Sequence, residues 1–182
     1  MKETNIPSQG MLLLMPWIIL FLFLHSANDN IIQLIAPAMS EYYGVSKVQI
    51  SLIVSIGGFI SGIGATVYSI LTEKFSMRQL YLFGLITFGT GTLFNFLIYP
   101  WFPLLVISRT VQSIGSVCAV GCYVVLVMRY LPVKTQSMYL AMSSAMFQLS
   151  LGIGVLLGAW ITNYLNWKFA LLLPIIGLIA LP

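Results

Sequence analysis

Residues 103–130 read PLLVISRTVQSIGSVCAVGCYVVLVMRY, an apolar run of 28 residues with one charge, Arg109, well inside it. A helix that crosses a bilayer needs about 20 mostly apolar residues, so this stretch is long enough to span and carries an arginine in with it. Comparable runs lie on both sides. Spans are expected at 12–39, 48–71, 79–98, 103–130 and 137–163. A sixth begins near Phe169 and reaches Pro182 after about 14 residues, short of an ordinary crossing. The separators are brief and polar or proline-bearing: Glu41 to Lys47, Thr72 to Arg78, Tyr99 to Pro103, Pro132 to Ser137 and Asn163 to Lys168. The expected fold class is an all-α membrane protein, and the end within the sixth run points to a fragment or half of something larger.

Composition agrees. Of 182 residues, 59 % are hydrophobic and 7 % charged, with a mean hydropathy of +1.00. A soluble domain carries about a quarter charged residues, so this chain cannot cover a water-facing surface. Soluble enzymes and disordered tails are excluded. The net charge of +4 comes from 8 basic and 4 acidic residues scattered in ones and twos, without the basic cluster that a nucleic-acid partner would require. Cys118 and Cys122, four apart on one helix face, read as small packing residues. Lys2 followed by Met11–Leu24 resembles a signal peptide, but equally long runs follow, so an uncleaved first span is expected.

Lys and Arg in the loops set the orientation. With the N-terminus inside, the inner segments hold Lys2, Lys74, Arg78, Arg129 and Lys134, and the outer loops hold Lys47 and Lys168. The expectation is a multi-pass protein of the cytoplasmic membrane with a cytoplasmic N-terminus. There is also an internal repeat. A shift of 94 residues overlays Gly58 on Gly152, Gly64 on Gly158, Ala65 on Ala159, Leu71 on Leu165, Lys74 on Lys168 and Phe75 on Phe169. An odd number of crossings separates the copies, so they are inverted.

Two ionisable groups fall deep in spans, Asp29 and Arg109. A charge at mid-membrane costs about 2.5–3.5 kcal/mol on insertion scales, so it faces a partner or a wet cavity. At 1.5 Å per residue, Arg109 lies roughly 9 Å and Asp29 roughly 15 Å below the outer surface, a gap that an arginine arm closes. Polar residues gather around both. His25, Asp29 and Gln33 recur every four residues, with Asn28 and Asn30 alongside; Arg109, Gln112, Ser113 and Ser116 form a second stripe, and Ser144 with Gln148 a third. Polar stripes in lipid must face protein or water, and three of them describe a central cavity. A static ion pair that fixes helix packing is the structural alternative for the two charges, and the polar groups gathered around both favour a functional role. Glycines in the second span (Gly57, Gly58, Gly62, Gly64) and the fifth (Gly152, Gly154, Gly158) allow close helix approach. No phosphate-binding loop, metal-ligand cluster or nucleophile–base set is present, so neither an enzyme nor a metal site is expected.

With these residues in view, the chain resembles the N-terminal half of drug:proton antiporters of the major facilitator superfamily, in particular the fourteen-span branch with the Gram-positive tetracycline efflux proteins. The similarity runs from about Asn28 to Pro174. Its best piece, Arg109-Thr-Val-Gln-Ser-Ile-Gly115, resembles the fourth-span motif R-x-x-Q-G-x-G, with Ser113 in place of one Gly. Ser69 to Gln79 resembles the loop motif G-x-L-x-D-x-x-G-x-[KR]-[KR], with Glu73 at the Asp position and Arg78 at a basic one; Ser69, Ser76 and Gln79 depart from it. Gly154-Val-Leu-Leu-Gly158-Ala159 resembles the antiporter motif G-P-x-x-G-G without its Pro and last Gly, and Pro37 matches the Pro of the first-span motif, where Asn28 stands at the usual Asp. The resemblance implies a six-helix half with a 3+3 inverted repeat and an incomplete sixth helix. It also implies a role for Arg109 in proton transfer and for Glu73, Arg78, Gly154 and Gly158 in conformational change.

The resulting expectation is proton-coupled efflux of an amphipathic, tetracycline-like drug. It is driven by the proton gradient without a cofactor, with Asp29, Arg109 and His25 coupling the proton. Asn28, Gln33, Gln112 and Gln148 would hydrogen-bond the drug, and Tyr123 and Phe147 would stack on it. The expected partners are the lipid bilayer, the drug, the proton, and a C-terminal half or second copy, with no nucleic acid. The alternative is a truncated remnant or a small non-transporting membrane protein, such as an assembly or immunity factor.

Overall fold

The computed structural model describes residues 15–98 and 100–175, and among them there are helices and turns with no strand. The helices are α1 (Met15–Tyr43), α2 (Lys47–Leu71), α3 (Met77–Leu97), α4 (Phe102–Tyr130), α5 (Val133–Tyr164) and the short α6 (Trp167–Ala170). The first five are long and apolar enough to cross a membrane. Residues 12–14 of the first expected span and 176–182 of the sixth lie outside the described residues. Between Ala170 and Ile175 the chain makes turns rather than continuing the α6 helix.

Local chemistry fixes the helix ends. Ser46 caps α2 by accepting from the amide of Gln49, whose side chain accepts from the amide of Ser46 in return; Ser76 and Gln79 do the same for α3. Such boxes satisfy two donors that a helix start otherwise leaves open. Gly44, at φ 62°, closes α1, a left-handed conformation that costs glycine little. The short connections make successive helices run in opposite directions.

Packing follows the repeat. α1 lies along α5 and α2 along α4, while α3 lies on α4 and α6 on α1. Exchange of α1 with α4, α2 with α5 and α3 with α6 maps each of these pairs onto another. The repeat-related glycines obey the same rule. A Cβ on Gly64 of α2 would run into Val117 of α4, and one on Gly158 of α5 would meet Leu34 and Ile31 of α1, whereas Gly58 and Gly152 both face open space. This is the 3+3 plan expected from the sequence.

The buried side chains form two apolar clusters. One gathers Ile18, Phe21, Tyr81, Leu85, Phe88, Cys118, Cys122 and Tyr123, with Phe21 edge-on to Phe88 at 5.2 Å between ring centres. The other gathers Ile31, Ile32, Ile35, Met39, Ile50, Ile53 and Trp167. Between them runs a seam of polar residues. Outward-facing side chains such as Leu52, Phe59, Ile63, Leu156 and Trp160 are apolar and exposed, as a lipid-facing surface requires.

Candidate functional site

The seam is built from one short polar segment on each of three helices. α1 brings Asn28 and Asp29, α4 brings Arg109 and Gln112, and α3 brings Thr92 and Asn95. Nη2 of Arg109 donates to Oδ1 of Asp29 at 2.5 Å, which makes the buried ion pair that the two depths anticipated. The Arg109 side chain is 2 % exposed, while the Asp29 side chain keeps 27 % of its surface. Asp29 is therefore the less buried member of the pair.

Gln112 organises the rest and is fully buried. Its Oε1 accepts from Nη1 of Arg109 at 2.6 Å and from Nδ2 of Asn95 at 3.0 Å. Its Nε2 donates to Oγ1 of Thr92 at 2.8 Å and to Oδ1 of Asn28 at 3.4 Å. One amide thus ties α1, α3 and α4 together, using both its donors and its acceptor. Ser113 and Ser116 return their hydroxyls to the α4 backbone, at Arg109 and Ser113 respectively. α2 closes over the charges at Gly57, where a Cβ would stand 2.7 Å from Nη2 of Arg109.

One helical turn along α1 from Asp29 lies His25, 6 % exposed. Its Nδ1 is 3.9 Å from Oδ1 of Asp29, beyond a hydrogen bond, and has no hydrogen-bond partner among the described residues. His25 also lines a cleft of about 430 Å³ between α1, α2, α4 and α5, with Leu22, Ser61, Val120, Ser143, Ser144, Phe147 and Gln148. Drug-sized ligands occupy pockets of about 300–1,000 Å³. The Ser61 hydroxyl is buried there without a hydrogen-bond partner among the described residues, and among those residues the wall mixes an aromatic ring with polar groups and carries no Lys, Arg, Asp or Glu.

Of the residues expected around a drug, Phe147 and Gln148 line this cleft and four others do not. Gln112 and Asn28 are buried in the seam, their amides already engaged with protein. Tyr123 is 1 % exposed in the apolar core and donates its hydroxyl to the carbonyl of Tyr139 at 2.5 Å, so its ring has no free face for a ligand. Gln33 is exposed on α1, away from the cleft wall. Glu73 and Arg78 are exposed around the α2–α3 turn, and neither reaches an opposite charge among the described residues. The residues that depart from the loop motif there, Ser76 and Gln79, are the ones that cap α3. Gly154 and Gly158 are where α5 presses on α1: a Cβ at Gly154 would stand 2.9 Å from the carbonyl oxygen of Ala27. The sequence reading did not single out Thr92, Asn95 or Ser61. Gly91, Thr92 and Asn95 sit at helical spacing on one face of the third span, a signal that was there to be read.

Comparison with known proteins gives a consistent picture. The Major Facilitator Superfamily pattern matches residues 18–182. An uncharacterized MFS-type transporter of Bacillus subtilis, YhcA, is 22 % identical over 167 residues, covering 92 % of this chain and 31 % of YhcA. The 4-hydroxybenzoate transporter PcaK of Acinetobacter baylyi is 26 % identical over 156 residues, 85 % of this chain and 34 % of PcaK. Multidrug resistance protein 3 of Bacillus subtilis is 29 % identical over 119 residues, 65 % of this chain and 23 % of that protein. The chain spans less than half the length of the curated relatives it matches. With its apolar helices, its repeat-related packing and a family match over nearly all its length, this chain belongs to the Major Facilitator Superfamily.

Proposed function

We propose that this chain is the N-terminal half of a proton-coupled exporter of amphipathic, tetracycline-like drugs in the cytoplasmic membrane. In this reading its N-terminus is cytoplasmic, and a C-terminal half or second copy supplies the facing wall. The Asp29–Arg109 pair carries the proposal. It sits one helical turn from the cleft, and Asp29 is its less buried member. A proton and the guanidinium compete for that one carboxylate. When the proton takes it, Arg109 stays held by Gln112, so the charged tie between α1 and α4 is lost without stranding the arginine, and the 3.4 Å bond from Gln112 to Asn28 remains between them. His25 stands between Asp29 and the cleft, where bound drug and exchanging proton meet. The relative named for multidrug resistance favours a drug over the single aromatic acid in the name of another relative.

The test is the four-member cycle of wild type, Asp29→Asn, Arg109→Ala and the double variant, each made in the complete transporter. Proton-driven tetracycline efflux should be lost in Asp29→Asn while drug binding survives. The double variant should fold better than Arg109→Ala, because no carboxylate is left buried without a countercharge. Wild-type pH-dependent efflux in Asp29→Asn would overturn the proposal. So would a loss of expression alone, with transport per folded molecule unchanged, which is the behaviour of a static pair.

A further inference from the structure

Along α2, the residues that face the bundle follow helical spacing: Ile50, Ile53, Gly57, Ser61, Gly64 and Tyr68. Ile50 and Ile53 pack into an apolar cluster and Ser61 looks into the cleft. Gly57 lies between them, directly over the ion pair. An ideal Cβ at this position would be 2.7 Å from Nη2 of Arg109 and 3.2 and 3.5 Å from the two carboxylate oxygens of Asp29. Any side chain here would have to occupy the space of the charges. The adjacent Gly58 would meet nothing within 4 Å.

The contact is unusual in what it lacks. Gly57 is in the interior of α2, where the backbone amide is committed to its own helix, so it offers no donor to Asp29. α2 therefore covers the pair without solvating it, and it can lift and return there without breaking a hydrogen bond to either charge.

We infer that Gly57 is the positioning residue through which α2 gates the pair. With the helix seated on Gly57, Arg109 and Asp29 are pressed together and water is kept off that side. With the helix lifted there, Asp29 is open to proton exchange. The inference rests on the reading of Asp29 as the proton site, but it concerns a contact that can be read without any transport.

The experiment compares Gly57→Ala with Gly58→Ala in the complete transporter. Both exchange Gly for Ala within one helix, so intrinsic helix propensity changes equally. The readout is modification of Asp29 by dicyclohexylcarbodiimide, which reacts with protonated carboxyls in apolar surroundings, at fixed pH. Gly57→Ala should raise the labelling of Asp29 about fivefold, the low end of overpacking expressed as an equilibrium, and Gly58→Ala should match wild type. A third arm guards against misfolding. Lysine at 109 has no Nη2, which removes the 2.7 Å contact and leaves those of 3.2 and 3.5 Å with Asp29, so in an Arg109→Lys background Gly57→Ala should fold and raise labelling by less than it does beside Arg109. Equal labelling in Gly57→Ala and Gly58→Ala would overturn the inference, as would failure of Gly57→Ala to fold in both backgrounds. Raised labelling with unaltered drug efflux would leave the gate standing and refute the proposed function instead.

Discussion

Replacement of Gln112 by leucine removes the centre of the polar seam. The volume is nearly kept, but Nη1 of Arg109 and Nδ2 of Asn95 lose their acceptor, and Thr92 and Asn28 lose a donor. A buried donor left unsatisfied costs about 1–3 kcal/mol. Bonds between membrane helices average nearer 0.6 kcal/mol, because the unfolded chain in lipid also finds partners. Three of the four bonds are 3.0 Å or shorter and one is charge-assisted at 2.6 Å, so a total of about 2–4 kcal/mol is expected. Gln112→Glu keeps the acceptor but loses both donors and should fall between. The measurement is unfolding of the transporter by dodecyl sulfate in mixed micelles, followed by tryptophan fluorescence. The exposed Gln148→Leu serves as a control that should stay within about 0.5 kcal/mol of wild type. Equal midpoints for Gln112→Leu and Gln148→Leu would show that the seam contributes nothing to holding α1, α3 and α4 together.

Gly154→Ala drives a methyl against the backbone of Ala27, and overpacking of this kind costs about 1–3 kcal/mol; Gly152→Ala, two residues away in open space, should be neutral or stabilising, and the same titration compares them. For topology, a cysteine at position 74 or 78, in a background without Cys118 and Cys122, should be shielded from an impermeant thiol reagent in intact cells, and one at position 168 should be labelled. The reverse pattern would invert the orientation drawn from the loop charges.

The long apolar runs made the fold class legible, because only helices of that length satisfy their backbones in lipid. The ion pair was legible too, since two opposite charges at similar depth in an apolar chain have few other partners. The surroundings of the residues expected around a drug were less so. Periodicity gives the face of a helix but not which neighbour it meets: Gln112 turns toward the polar face of α3 at Thr92 and Asn95, and Asn28 turns toward Gln112. The burial of Tyr123 was not legible because its hydroxyl partner is the backbone carbonyl of Tyr139, which has no signature in sequence. Gly57 was visible only as one small residue among four. It differs from Gly58 in what lies across from it, the ion pair rather than open space.

The close approaches at Gly84, Gly91 and Gly115 press α3 onto α4 backbone to backbone, and Ser108 adds a bond to the carbonyl of Gly91 at 3.0 Å. Gly154 does the same for α5 and α1 at the Ala27 backbone, and Gly158 seats the side chains of Leu34 and Ile31. Arg109 therefore rides on one two-helix beam and Asp29 on another. Near the α4–α5 turn the beams are pinned by Tyr123 to Tyr139 and by Gln136 to the carbonyl of Met128. The Asp29–Arg109 contact clasps them farther from that turn. If the clasp is undone while the pin holds, the two beams splay like the blades of scissors, and a small widening between the charges becomes a larger opening at the free end.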